Sequence, residues 1–212
     1  MQSLEKRNQV AYEQSSRDMV TSSMLLLEAF RQLGVPSMLI DVGCGPGHMV
    51  RVSWSVGVSY SFGVDPCATL DAAGVHPLLQ QHGIGYTIIP GTYKSIASAE
   101  MVSPCFVLCL EVAEHVSESK ADDLCEVLAG VVESEADCLL FSAATPGQGG
   151  SGHINEQPHE YWIEKFHRRG LELCRVATHD LRKSWMELAP ECWWYGKNLL
   201  IFKIGQPEGA RP

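Results

Sequence analysis

The chain has 212 residues, 45% of them hydrophobic and 19% charged. That is long enough to bury a substantial core without disulfides or a structural metal, and too ordinary in composition for a disordered or fibrous chain. Its 16 basic residues stand against 25 acidic ones, a net charge of −9, which disfavours broad electrostatic binding of nucleic acid and leaves only a local basic patch at Lys165, His167, Arg168 and Arg169 as a candidate phosphate contact.

The opening segment MQSLEKRNQVAYEQSSRD is polar and holds no apolar leader core. The longest apolar stretch, Phe106 to Ala113, is interrupted by Glu111 and falls far short of a bilayer span. The expectation is a soluble, cytoplasmic chain that is not secreted and has no membrane partner. Eight cysteines, at positions 44, 67, 105, 109, 125, 138, 174 and 192, sit partly inside apolar runs such as VLCLEV and CLLFS. No C-x-x-C occurs, so they are expected to be reduced and structural rather than disulfides or metal ligands.

In chain order, Met19, Val20, Met24, Leu27 and Phe30 recur at helical spacing between Asp18 and Leu33, and Gly34 and Pro36 close that helix. SMLIDV (37–42) predicts a buried strand running into a glycine cluster. Further strands are expected in SYSFGVD, ending at Asp65, in YTII (86–89), in FVLCL (106–110), in CLLFS (138–142) and in NLLIFKI (198–204). Between them, a short helix is expected at 78–82. A clear one is expected at 120–132, with Leu124, Val127, Leu128 and Val131 on one face. Another, at 158–169, starts at a proline, stops at Gly170 and buries Trp162 and Phe166. Near-continuous apolar strands alternating with helices indicate a parallel sheet covered on both faces, an α/β fold in one domain spanning 1–212. Residues 1–34 form its helical lead-in and 205–212 a loose tail.

The most informative motif is Asp41-Val-Gly43-Cys44-Gly45-Pro-Gly47, between a predicted strand and a predicted helix. Glycines there permit a tight turn and bring backbone amides against a ligand. Asp65, at the end of the next strand, is placed to accept hydrogen bonds from ribose hydroxyls. The spacing G-x-G-x-G does not fit the dinucleotide fingerprint, so a pyrophosphate is not the expected ligand.

LIDVGCGPG (39–47), FGVDP (62–66), VLCLEVAEHV (107–116) and LLFSAATPG (139–147), in that order, resemble the class I S-adenosylmethionine-dependent methyltransferases. The resemblance implies a Rossmann-like, seven-stranded, mostly parallel sheet with an antiparallel last strand and helices on both faces. It implies S-adenosylmethionine as cofactor. Asp41, Gly43, Cys44, Gly45 and Gly47 would lie at its methionine end and ribose, Asp65 at the ribose hydroxyls with Pro66 near the adenine, and Leu110 and Glu111 at the border with the substrate. Thr92 stands where the family often has an acid facing the adenine, and Cys105 where it often has an aspartate. The implied activity is methyl transfer to a small-molecule acceptor, oxygen before nitrogen, since Leu110-Glu111-Val112-Ala113 replaces the Asn-Pro-Pro-Tyr stretch associated with nitrogen acceptors. The alternatives are an RNA methyltransferase acting on a terminal nucleotide or cap, and a non-catalytic cofactor-binding partner subunit.

Methyl transfer from a sulfonium needs alignment, exclusion of water and, for a hydroxyl acceptor, a base. His153, which follows Gly149, Gly150 and Gly152 in a loop whose glycines suit a mobile lid, is the expected base. Glu111 and His115 are expected beside it, and the resemblance gives His115 a pocket-shaping role. No metal is expected. An alternative, on a resemblance to metal-assisted O-methyltransferases, has Glu111, Glu114, His115 and His153 (or His159) holding a divalent ion. Trp185, Trp193, Trp194 and Tyr195 either wall a pocket or belong to the core or rim, the latter being expected. His48, His76, His82, His167 and His179 are taken as surface or core histidines.

Overall fold

The computed structural model describes residues 19–66, 85–97 and 100–205. The expected helix at 78–82, most of the tail, the first half of the lead-in, Cys67, His76 and His82 lie outside the described residues.

Helix α1 (19–33) leads into β1 (Met38–Val42), α2 (His48–Ser55), β2 (Tyr60–Asp65) and β3 (Gly85–Pro90). After β4 (Cys105–Leu110) come α3 (Ala121–Gly130), β5 (Cys138–Ser142), α4 (His159–His167) and β6 (Leu171–Leu173), then α5 (Arg175–Leu188), α6 (Trp193–Asn198) and β7 (Leu200–Ile204). The seven strands form one sheet in the order β3-β2-β1-β4-β5-β7-β6. β1 through β5 pair in parallel, and β7 runs antiparallel to both β5 and β6. This is the expected Rossmann-like sheet. The sixth strand, LEL, is too short to be read from periodicity.

Strand alternation divides the core between the two faces. From β4, Cys105, Val107 and Cys109 join Leu124 and Leu128 of α3 and Trp162 and Phe166 of α4. Phe106 and Leu108 point the other way, to Leu25 and Phe30 of α1 and Trp185 of α5. Both faces are covered, which is why these strands are apolar without a break. Trp162 and Phe166 are fully buried, as expected. Helix α5 was not expected; only Thr178, Leu181 and Trp185 of its 14 residues are buried, too narrow a stripe to stand out in a polar segment.

The candidate basic patch is not free. Lys165 pairs with Asp122 at 2.8 Å, Arg169 with Asp122 at 3.1 Å and Glu126 at 2.9 Å, His167 with Glu172 at 2.7 Å, and Arg168 with Glu164. The acids that dominate the net charge have neutralised it locally. The seven described cysteines are all free thiols, five of them buried, as a reduced structural role requires. Among the described residues no helix is long and apolar enough to cross a membrane.

The chain adds β2 and β3 on one side of β1, then returns to place β4 on the other. The carboxyl ends of β1 and β4 therefore diverge into a crevice, the place where open α/β sheets bind ligands.

Candidate functional site

Over that crevice lies a cavity of about 940 Å³. One side is the loop after β1: Asp41, Gly43, Cys44, Gly45 and Pro46, with His48 and Met49 of α2 and Leu110 at the end of β4. Gly43, Gly45 and Gly47 have φ of 76°, 51° and 78°. A Cβ on Gly43 would collide with Val112, and one on Gly47 with Ile88, whereas Gly45 faces open space. The glycines are thus needed both for left-handed backbone and for close approach. Asp65 ties β2 to this loop, its Oδ2 accepting the N–H of Gly45 at 3.0 Å. Burial first, and the charge of Asp65 second, push the Asp41 carboxyl up to about 7. Burial and the same two carboxylates push the Cys44 thiol up to about 12, so it is no nucleophile.

Gly47, Asp65, Pro66 and Thr92 are not among the cavity's lining residues. Gly47 caps α2. Thr92 is exposed and caps a turn after β3, its side chain accepting from Lys94 N. The backbone N–H of Gly91 donates to Asp65 O at 3.1 Å, which keeps this turn beside the end of β2.

Beyond Leu110 the chain turns sharply, with Glu111 at φ 55°. Its N–H donates to Ser142 Oγ at 3.0 Å. Its carboxylate accepts from Gln148 Nε2 and Asn198 Nδ2, each at 3.1 Å. Glu111 is therefore tied to α6 and to the loop at 144–158. Glu114, His115 and His153 do converge, with one donor atom from each within 4.8 Å of the others. Glu111, the fourth residue of the metal alternative, is not in this group. His159 also stands apart, its Nδ1 3.3 Å from Arg182; burial, then the Arg182 charge, lower its pKa.

The Glu114 carboxylate is completely buried; neither oxygen has a well-formed hydrogen bond, and only the backbone N–H groups of Glu114 and Ala144 come near enough to favour its charge. Burial, then the charge of Glu111, raise its pKa well above the ordinary carboxylate range. His153 Nε2 stands 3.9 Å from Glu114 Oε1, while His153 Nδ1 meets Glu156 Oε1 at 2.9 Å. His115 Nδ1 meets the Gly152 carbonyl at 3.1 Å, and the two imidazoles pack edge to face. Glu156, which sequence reading passed over, also accepts the N–H groups of Gly147 and Gly149, both at 2.8 Å. Together with the N–H groups of Ile154 and Asn155, which donate to Glu114 O, it ties down the loop expected to be a mobile lid. None of Glu111, Glu114, His115 and His153 lines the cavity; the chain joins them to it through Leu110, and through Val112 packed on Gly43.

The opposite side of the cavity comes from α1 and from the segment before β7, including Trp194 and Tyr195. The aromatic residues expected together in the core or rim divide. Trp185 is buried, donating its indole N–H to Leu25 O at 2.9 Å, whereas Trp194 and Tyr195 border the cavity. His48, expected to be incidental, also lines it.

No protein-family model matches the chain, and no curated protein matches it. Among solved structures, 1,6-didemethyltoxoflavin-N1-methyltransferase of Burkholderia thailandensis, with its substrate and S-adenosylhomocysteine bound, is similar at a TM-score of 0.57 and 12% identity over 96% of this chain and 88% of that one. The cyclopropane synthase MmaA2 of Mycobacterium tuberculosis is similar at 0.47 and 13%, over 78% and 68%. The mycolic acid cyclopropane synthase CmaA1 is similar at 0.49 and 10%, over 84% and 82%. The strand order, the crevice and the first of these likenesses agree: the chain has the fold of the class I S-adenosylmethionine-dependent methyltransferases.

Proposed function

We propose that the protein binds S-adenosylmethionine and transfers its methyl group to a small-molecule acceptor, oxygen before nitrogen. The observation that carries this reading is the pairing of Asp41 and Asp65 at the glycine loop over the crevice. A carboxyl raised to about 7 by burial first and by the neighbouring Asp65 second suits a ligand that brings positive charge, and S-adenosylmethionine carries both a sulfonium and an ammonium. Gly45, open on its Cβ side, leaves room for that ligand against the backbone. The cofactor supplies the methyl group and takes up the bonding pair as its sulfonium becomes a thioether.

The chain's own residues would do the rest. Asp41 would face the cationic end, Asp65 the ribose hydroxyls, and Leu110 the reacting region. His153 would take the acceptor's proton at Nε2: Glu156 accepts from Nδ1–H and so fixes the ring in the tautomer whose Nε2 carries the lone pair.

Calorimetry with S-adenosylhomocysteine tests the reading. The native chain should bind it. Asp65→Ala should weaken binding by about tenfold or more, since buried hydrogen bonds to a charged group are worth about 1.5–3 kcal/mol. Asp65→Asn, which keeps an oxygen for Gly45, separates loss of charge from loss of the loop. A native chain that binds neither S-adenosylmethionine nor its product would end the methyltransferase reading.

A second reading is favoured by the buried Glu114 carboxylate, which lacks a well-formed hydrogen bond. With both Nδ1 atoms committed to acceptors, His115 and His153 would present Nε2 to a divalent ion that Glu114 also binds, and Glu156 and Gly152 O would support the imidazoles from behind. Two imidazoles and one carboxylate suit Zn²⁺, Mn²⁺ or Fe²⁺ better than Mg²⁺. Such an ion would act as a Lewis acid toward an acceptor oxygen.

A further inference from the structure

The cavity is larger than the glycine loop needs. Its volume, about 940 Å³, lies near the top of the range for small-ligand pockets, and its two walls differ in chemistry. The wall opposite the loop is formed by Val20, Met24 and Leu25 of α1, with the hydroxyls of Thr21 and Ser22, and by Cys192, Trp194 and Tyr195 around the start of α6; among the described residues Glu191 is its one charged side chain. Among the described residues of the lining, the acids are Asp41 and Glu191, His48 is the one basic side chain, and there is no lysine or arginine.

The aromatic residues of this wall are fixed by their neighbours: Tyr195 packs against the core on this face of the sheet, and Trp194 meets Trp193 edge to face with centroids 6.0 Å apart. Trp185 anchors it from below through its hydrogen bond to Leu25 O, which fixes α5 to α1. Trp193, next in the chain to Trp194, turns outward and is covered by Lys197, whose Nζ stands 5.0 Å above its ring. Trp194 and Tyr195 are half-exposed and tilted 38° to each other with centroids 6.2 Å apart. Both line the cavity, and an aromatic ring there favours flat ligands and cations.

We infer that this wall is the acceptor subsite, and that it takes a planar aromatic or heteroaromatic acceptor, neutral or cationic, against Trp194 and Tyr195, with Glu191 selecting against anions. The identity of the subsite as an acceptor site rests on the methyl-transfer reading; its preference for flat, non-anionic ligands does not. Glu191 can accept from an N–H or O–H on the ring, whereas a carboxylate or phosphate there would face the like charge of Glu191, with no lysine or arginine among the described residues of the lining.

Three naphthalene-sized probes separate the possibilities: 2-naphthol (neutral), N-methylquinolinium (cationic) and 2-naphthoate (anionic), each titrated calorimetrically into the protein with and without saturating S-adenosylhomocysteine. The neutral and cationic probes should bind, and the anion about tenfold more weakly or not at all. Glu191→Lys, an exposed position that spares the fold, should reverse the order of the two charged probes, since inverting one charge within a few ångströms shifts binding by about tenfold or more. Trp194→Ala should weaken the neutral probe about tenfold. Neither substitution should move the affinity for S-adenosylhomocysteine. Equal binding of all three probes, no binding of any, or an order that Glu191→Lys leaves unchanged would overturn the inference. A native chain that binds the probes but not S-adenosylhomocysteine would keep the pocket chemistry and remove the methyl-transfer reading instead.

Discussion

The two ends of the sheet treat a buried carboxylate in opposite ways. At the amino end, before β5, Asp137 is fully buried and accepts from Ser103 Oγ at 2.6 Å, Cys105 N at 2.8 Å, Glu133 N at 3.0 Å and Ser134 N at 2.9 Å. It ties the start of β4 to the turn after α3. At the carboxyl end, Glu114 is equally buried and neither of its oxygens has a well-formed hydrogen bond, while Asp41 shares its surroundings with Asp65. Burial of an ionised carboxylate is costly unless donors replace the lost water. A charge satisfied by the chain itself serves the fold; one left unsatisfied, at strand ends around a crevice, marks a place that a ligand would complete.

The largest effect expected from breaking this contrast lies at the amino end. Asp137→Ala removes the acceptor of four donors and should cost about 3–5 kcal/mol, seen as a fall of about 10 °C or more in melting temperature, with binding of S-adenosylhomocysteine retained wherever the variant is still folded. A variant as stable as the native chain would show that Asp137 does not pin the strands.

At the carboxyl end the sign should reverse. The folded-state pKa of Glu114 is raised, so the unfolded chain gives up its proton first as pH rises. Glu114 therefore costs stability once pH passes the ordinary carboxylate range, and costs most above its raised folded pKa. Glu114→Gln should accordingly stabilise the chain at pH 8 by about 1–2 kcal/mol, seen as a higher melting temperature, and have little effect at pH 4. The same pair of proteins examines the metal reading. Zn²⁺ should stabilise the native chain by mass action and leave Glu114→Gln unmoved. An equal response of both, or none in the native chain, removes the three-residue site.

What was legible in the sequence was local. The run from Asp41 to Gly47 shows its backbone demand in the spacing of its glycines, and Asp65 shows its place as the acid closing an apolar strand. Contacts that depend on chain return were not legible. Gln148 and Asn198 hold Glu111 from 37 and 87 residues away, and neither residue type announces a partner. The metal alternative illustrates this: Glu111 stands three residues before Glu114 in sequence, yet the group whose ligand atoms come together is Glu114, His115 and His153. Aromatic residues were equally mute, since nothing in the letters says that Trp185 is an anchor, Trp193 a surface ring and Trp194 a cavity wall.

The subtlest expected effect belongs to Asp41. With its carboxyl pushed up to about 7 by burial and by Asp65, a share of the unliganded protein is protonated there near neutrality. A cationic ligand favours the ionised form, so binding must expel that proton at lower pH, and affinity for S-adenosylmethionine should rise with pH by up to about tenfold between pH 6 and pH 8 before levelling off. S-adenosylhomocysteine has no sulfonium, so its affinity should rise less, and the ratio of the two affinities isolates the response to that charge from general effects of pH on the fold. In Asp41→Asn the dependence should flatten. A ratio that stays level across that window in the native chain would mean that the sulfonium does not lie near Asp41, and that this carboxylate answers to a different part of the ligand.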